Sequence, residues 1–163
     1  MSRPYARSPV SGLRRFARDQ EFDRRTKVPL MSRTPKFSRS FPCSAAGARQ
    51  ARALVAEFAA SWLSGDDLIG FELGAGEALA NCVEHGGGPT LSVECWLDGA
   101  RLVAEIRHQG RGFTPPRCVN APPQGAPRGY GLFIMHEVVD GIEFMDGGTG
   151  LRLFKNLPSG SPR

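Results

Sequence analysis

Between residues 90 and 108 the chain alternates apolar and polar side chains twice, and Asp98-Gly99 separates the two runs. An Asp-Gly pair flanked by alternating runs is the strongest short-range signal for a β-hairpin. Thr90–Leu97 and Arg101–His108 are therefore read as paired antiparallel strands. Alternation gives such a hairpin one apolar face, and an isolated hairpin is marginal in water until that face is covered. The rest of the chain has to supply the cover.

Two helices upstream fit that need. Ser44 is placed to cap a helix over Ala45–Trp62, and Ala51, Leu54, Val55, Phe58 and Trp62 recur at helical spacing on one side of it. Gly65-Asp66-Asp67 breaks the chain, a second helix is expected from Leu68 to His85, and Gly86-Gly87-Gly88-Pro89 ends it. A short strand over Lys36–Phe41, stopped by Pro42, precedes both. Residues 109–127 are rich in Gly, Pro and Gln and read as a long loop of the functional kind. A third helix is expected from Gly131 to Val139, then strands Ile142–Met145 and Leu151–Lys155. The order strand, helix, helix, hairpin, loop, helix, hairpin points to an α+β fold. Its form is a two-layer α/β sandwich, with a mixed, mostly antiparallel sheet and helices on one face.

The charge is uneven. Residues 1–40 carry 11 basic and 3 acidic side chains, a net of +8, whereas residues 41–163 carry 10 and 13, a net of −3. A mildly acidic body follows a basic leader, so the overall +5 is no argument that the body binds nucleic acid. The leader has few large apolar residues and no sustained periodicity, and is expected to be disordered. Met31-Ser-Arg repeats Met1-Ser-Arg, and the favoured reading of what precedes it is a solvated tail or untranslated sequence. The organisation expected is a leader over 1–35, a domain over 36–157 and a tail over 158–163. No apolar run is long enough to span a membrane, and the N-terminus has no apolar signal core. Cys43, Cys82, Cys95 and Cys118 form no Cys-x-x-Cys pair, which disfavours a disulfide framework or zinc site and suits a reducing cytoplasm.

Three stretches carry chemistry. On the second helix Glu77, Asn81, Glu84 and His85 fall within roughly 100° of one another, opposite Phe71, Ala75, Ala78, Leu79 and Cys82. Periodicity alone makes that band an ordinary solvated face. His-Gln-Gly-Arg-Gly-Phe (108–113) follows a strand, and Arg-Gly-Tyr-Gly-Leu-Phe-Ile-Met (128–135) precedes a helix. Glycines let backbone approach a ligand closely, and a helix N-terminus offers free N–H groups to phosphate. Each stretch alone reads equally as a turn.

Together, in this order, they resemble the GHKL (Bergerat-fold) ATPases, and among these the bacterial anti-sigma-factor serine/threonine kinases. Glu77 to Gly86 is similar to that family's N-box, Glu-x-x-x-Asn with a trailing His-Gly. Gln109 to Phe113 lies where the family has Asp-x-Gly-x-Gly-Phe, and Gly129 to Met135 is similar to its second glycine box. Residues 138–153 resemble its closing helix and hairpin. The resemblance spans roughly residues 36–157. The short loop between the glycine boxes suits an anti-sigma kinase, whereas a sensor histidine kinase also needs a phosphoacceptor helix.

The resemblance implies ATP and Mg²⁺ as cofactors. Asn81 would offer a neutral oxygen to Mg²⁺ and Glu77 would act as general base. His85, His108, Gly110, Gly112, Arg128, Gly129, Gly131 and Leu132 would line the nucleotide site. It further implies a cytoplasmic protein that binds a sigma factor and phosphorylates a small antagonist protein. Neither nucleic acid nor membrane is expected as a direct partner, and a homodimer is possible. One position departs from the pattern. The first glycine box normally opens with an Asp that accepts from the adenine amino group, and here it is His108, which accepts only through a neutral ring nitrogen. The alternative reading is a non-catalytic module of the same fold that binds nucleotide weakly and regulates by sequestration. His136 is expected at the surface, and Trp62, Trp96 and the cysteines in the core.

Overall fold

The computed structural model describes residues 35–114, 116, 119–123, 125 and 129–158. The basic leader up to residue 34, Cys118, Arg128 and residues 159–163 of the tail lie outside the described residues.

Strand β1 (Pro35–Pro42) leads into helix α1 (Ala45–Ala60), whose N-terminus is fixed by Ser44: its hydroxyl accepts from the Gly47 N–H at 3.2 Å. Helix α2 (Gly65–Asn81) continues into a single π-helical turn, Cys82–Gly86, ended by Gly87 in the left-handed region. Strands β2 (Thr90–Asp98) and β3 (Arg101–His108) form the expected hairpin, with Gly99 at φ +60° and the Arg101 guanidinium donating to Asp98 at 2.8 Å. Helix α3 (Tyr130–Val138), β4 (Gly141–Met145) and β5 (Gly150–Asn156) complete the domain.

The sheet runs β1-β2-β3-β5-β4. All four pairings are antiparallel, so the parallel pair implied by a mixed sheet does not occur among the described residues. The reason is that both later strands form a hairpin, which β5 docks onto β3 as an antiparallel neighbour.

The core lies between the sheet and the helices. Leu91, Val93 and Cys95 of β2, Leu102, Ala104 and Ile106 of β3, and Leu153 of β5 meet Ala51 and Val55 of α1, Phe71, Ala75, Ala78 and Leu79 of α2, and Met135 of α3. Burial raises the Cys82 thiol to about 12, helped by Cys43, and also raises Cys95, so both act as small apolar side chains. His136 is exposed.

Trp96 is buried, as expected. It is 2% exposed, yet it alternates with Cys95 and so points to the sheet face away from the helices, outside the main core. On that face the Arg152 guanidinium lies 5.5 Å from its ring centroid. Beside it, Glu105 is 4% exposed and accepts from Arg107 at 2.7 Å and Arg152 at 2.8 Å. Arg107 also pairs with Asp146, and Arg152 with Glu143. Burial alone would raise the Glu105 carboxyl, but the two guanidinium hydrogen bonds and charges outweigh it and hold the group below the ordinary value.

Candidate functional site

Helix α2 sets Glu77 and Asn81 one turn apart, and α3 packs across them. They are half-buried, so the polar band is not a plain solvated face. Contact is close because of Gly131. A Cβ there would stand 2.9 Å from Glu77 Oε2 and 3.7 Å from Asn81 Oδ1, so any larger residue pushes the carboxylate aside. Gly129, at φ +98°, turns the chain into α3 and brings no side chain to cap it. The N–H groups of a helix's first turn have no partner within the helix, and here that turn lies at a place lined by Gly129, Tyr130 and Gly131.

The other glycine stretch is clasped to the π-helical turn. Arg111 N–H donates to the Gly86 carbonyl at 2.8 Å, and a Cβ at Gly110 would overlap that same carbonyl. The His108 ring lies close enough to Gly86 that a Cβ there would be 2.9 Å from Nδ1. His108 Nδ1 accepts from the Gly110 N–H at 3.2 Å. Further on, Gly112 passes the Gly147 carbonyl with no room for a Cβ, and the Phe113 N–H donates to Gly148 at 3.3 Å. Phe113 meets the Phe144 ring at 6.0 Å.

Between these walls lies a cavity of about 840 Å³. That is ample for a nucleotide-sized ligand, since such sites run from roughly 300 to 1,000 Å³. Of the residues singled out in the sequence, Glu77, Asn81, His85, His108, Gly112, Gly129, Gly131 and Leu132 line it together. Gly110 stands behind the wall, against Gly86, and Arg128 lies outside the described residues. His85 is exposed, its Nε2 3.8 Å from the Glu84 carboxylate.

Sequence reasoning passed over Arg111, Phe113, Tyr130, Phe144 and Thr149, which also line the cavity. Arg111, Phe113 and Tyr130 sit inside the two glycine stretches and were findable there. Phe144 and Thr149 arrive from the closing hairpin with no local signal. The cavity is divided chemically. Ile106, Phe144 and Leu151 form an apolar part on the sheet, while Glu77, Asn81, Glu84, His85 and Arg111 bring polar and charged groups.

Residues 41–155 match the histidine kinase-like ATPase domain. The chain belongs to that family. No curated protein matches it. The histidine kinase-like ATPase domain is an ATP-binding one, and its α+β fold agrees with the three helices and five-stranded antiparallel sheet found here. No helix among the described residues is long and apolar enough to cross a membrane.

Mg²⁺ fits the residues present in a limited way. Among the described residues no group of three His, Cys, Asp or Glu side chains could hold a metal unaided. Asn81 offers a neutral oxygen at the cavity wall, and Mg²⁺ keeps most of its water and takes one or two protein ligands beside substrate phosphates. The donor set suits a metal that arrives with a nucleotide.

Proposed function

We propose that this chain is an ATP-dependent serine/threonine protein kinase of the anti-sigma type, holding a sigma factor inactive and phosphorylating a small antagonist protein. The observation that carries the reading is the approach of α3 to α2. Gly131 brings an uncapped helix N-terminus against a carboxylate and an amide set one turn apart on one cavity wall. Phosphoryl transfer asks a protein chiefly for positioning and electrostatic stabilisation. The first-turn N–H groups of α3 suit phosphate oxygens. Glu77 would orient and deprotonate an attacking hydroxyl, and the apolar part of the cavity suits a base. Asn81 would hold Mg²⁺, which when bound neutralises phosphate charge. Gly129, Gly131 and Leu132 would contact phosphates and Gly112 the base and ribose, with Gly110 letting that stretch close against Gly86, and Arg128 would pair with phosphate.

The test is transfer from [γ-³²P]ATP and Mg²⁺ to sigma factors and their small antagonists from the source organism, with Glu77→Gln as control. Phosphoserine or phosphothreonine on the antagonist, lost in the variant, is expected. Release of inorganic phosphate without protein labelling, or label on a histidine of the chain itself, would overturn the kinase assignment. The occupied lone pair of His108 favours a second reading, the non-catalytic sequestering module. That reading expects partner binding with no transfer at all.

A further inference from the structure

Resting on the reading of the cavity as a purine nucleotide site, we infer that His108 recognises the base with a donor rather than an acceptor. The site then takes 6-oxo purine nucleoside triphosphates at least as well as ATP. Ile106 and His108 are two apart on β3 and so share one strand face, the face that ends in the cavity. Ile106, Leu151 and Phe144 make the apolar surface on which a base would lie, and His108 is the polar side chain that β3 adds to it.

The orientation of that side chain decides what it can do. The Gly110 N–H donates to Nδ1 at 3.2 Å, and the ring sits so close to Gly86 that a Cβ there would be 2.9 Å from Nδ1. A neutral imidazole has one lone pair and one N–H. With the lone pair given to Gly110, the proton sits on Nε2. A cationic ring carries a proton on both nitrogens, so it gives up the Gly110 bond and Nε2 is again a donor. In neither form does Nε2 accept.

A purine lying on that apolar surface with its 6-position toward His108 presents an amino group if it is adenine, so donor would meet donor. Hypoxanthine and guanine present an oxygen there, which accepts. A buried donor left facing another donor loses more than a missing hydrogen bond does, because its desolvation goes uncompensated.

Calorimetric titration of the full chain with Mg²⁺ and ATP, ITP or GTP tests this. ITP is the cleanest probe because it replaces the 6-amino group with oxygen and lacks the 2-amino group of guanine. ITP is expected to bind about threefold or more tighter than ATP, on the order of one neutral hydrogen bond. His108→Asp should reverse the order, to an ATP preference of about tenfold, since a carboxylate accepts. His108→Ala, which removes the Nε2 donor together with the acceptor of the Gly110 N–H, should shift the ITP-to-ATP ratio toward ATP and keeps the test open if the Asp variant does not fold. Tighter binding of ATP than of ITP in the unaltered chain would overturn this inference alone, as would one unchanged ratio in the chain and its folded variants. Failure of all three nucleotides to bind would overturn the inference together with the nucleotide-site reading beneath it.

Discussion

Glu105 and Glu77 are both partly or fully withdrawn from water, on opposite sides of the molecule, and they differ in what surrounds them. On the outer sheet face Glu105 meets two guanidinium groups, and each of these reaches a second carboxylate, Asp146 or Glu143. Its hydrogen-bonding capacity is spent within the fold. On the helix side Glu77 and Asn81 face a cavity and a bare helix terminus instead. A carboxylate matched by its own chain is a structural element. One aimed at a cavity beside open N–H groups is available for a ligand's chemistry. If the distinction holds, substitutions on the two faces should separate stability from activity.

The largest separation is expected at Glu77. Glu77→Gln keeps the size and the neighbours, so its melting temperature should stay within about 2 °C. Phosphoryl transfer should fall by about 10²- to 10⁴-fold, the usual contribution of a positioned general base. ATP affinity, read by calorimetry, should change by less than about threefold. A variant that loses stability and keeps its transfer rate would show that Glu77 is a structural carboxylate like Glu105.

Glu105→Ala should do the converse. It leaves Arg107 and Arg152 without their shared partner in a mostly buried setting. The cost for a buried pair is about 3–5 kcal/mol, and exposure of Arg107 reduces it to about 2–3 kcal/mol. The melting temperature should drop on the order of 10 °C, while nucleotide affinity of the folded fraction should change by less than about twofold. Thermal unfolding and calorimetry at one ionic strength check both.

How far these roles were legible in the sequence follows the range of the interactions behind them. The β2–β3 hairpin was legible because alternation and turn chemistry are local, and β3 runs over Arg101–His108 as the pattern has it. The band Glu77, Asn81, Glu84, His85 was legible as a face, but its partner was not, since only tertiary packing brings Gly131 there. The π-helical turn at Cys82–Gly86 leaves no compositional trace, and it presents the Gly86 carbonyl to Arg111. The donor character of His108 depends on one backbone N–H two residues away, which no spacing rule supplies. Trp96 reads as core from its type, and only the register assigns it to the outer face.

Acidification sharpens the contrast on the outer face. The Glu105 carboxyl titrates lower in the folded chain than its ordinary value of 4.5. Protonation therefore favours the unfolded chain. The stabilisation is complete above about 4.5 and is lost as pH falls through the folded-state value. Glu105→Gln removes this term. Its stability, measured by urea unfolding, should be lower than that of the unaltered chain at pH 7, by about 1–2 kcal/mol. The gap should narrow below pH 4. A constant gap down to pH 3 would mean that Glu105 is not ionised against Arg107 and Arg152.

The smallest effect is expected at Gly131, where the two roles of the cavity wall pull in opposite directions. Gly131 lies in the first turn of α3, and glycine within a helix costs roughly 0.5–1 kcal/mol relative to alanine. The atom nearest an added Cβ is Glu77 Oε2, the far end of a flexible side chain, and it can swing away at little cost. Gly131→Ala should therefore raise stability by up to about 0.5 kcal/mol, within the range for such replacements at a compatible site. Swinging away, however, moves the Glu77 carboxylate from its place beside the helix terminus. Transfer should fall several-fold while the melting temperature rises by about 1–2 °C. If the variant gains stability with no loss of transfer, the close approach of α3 to Glu77 is packing alone, and the cavity wall would resemble the outer face after all.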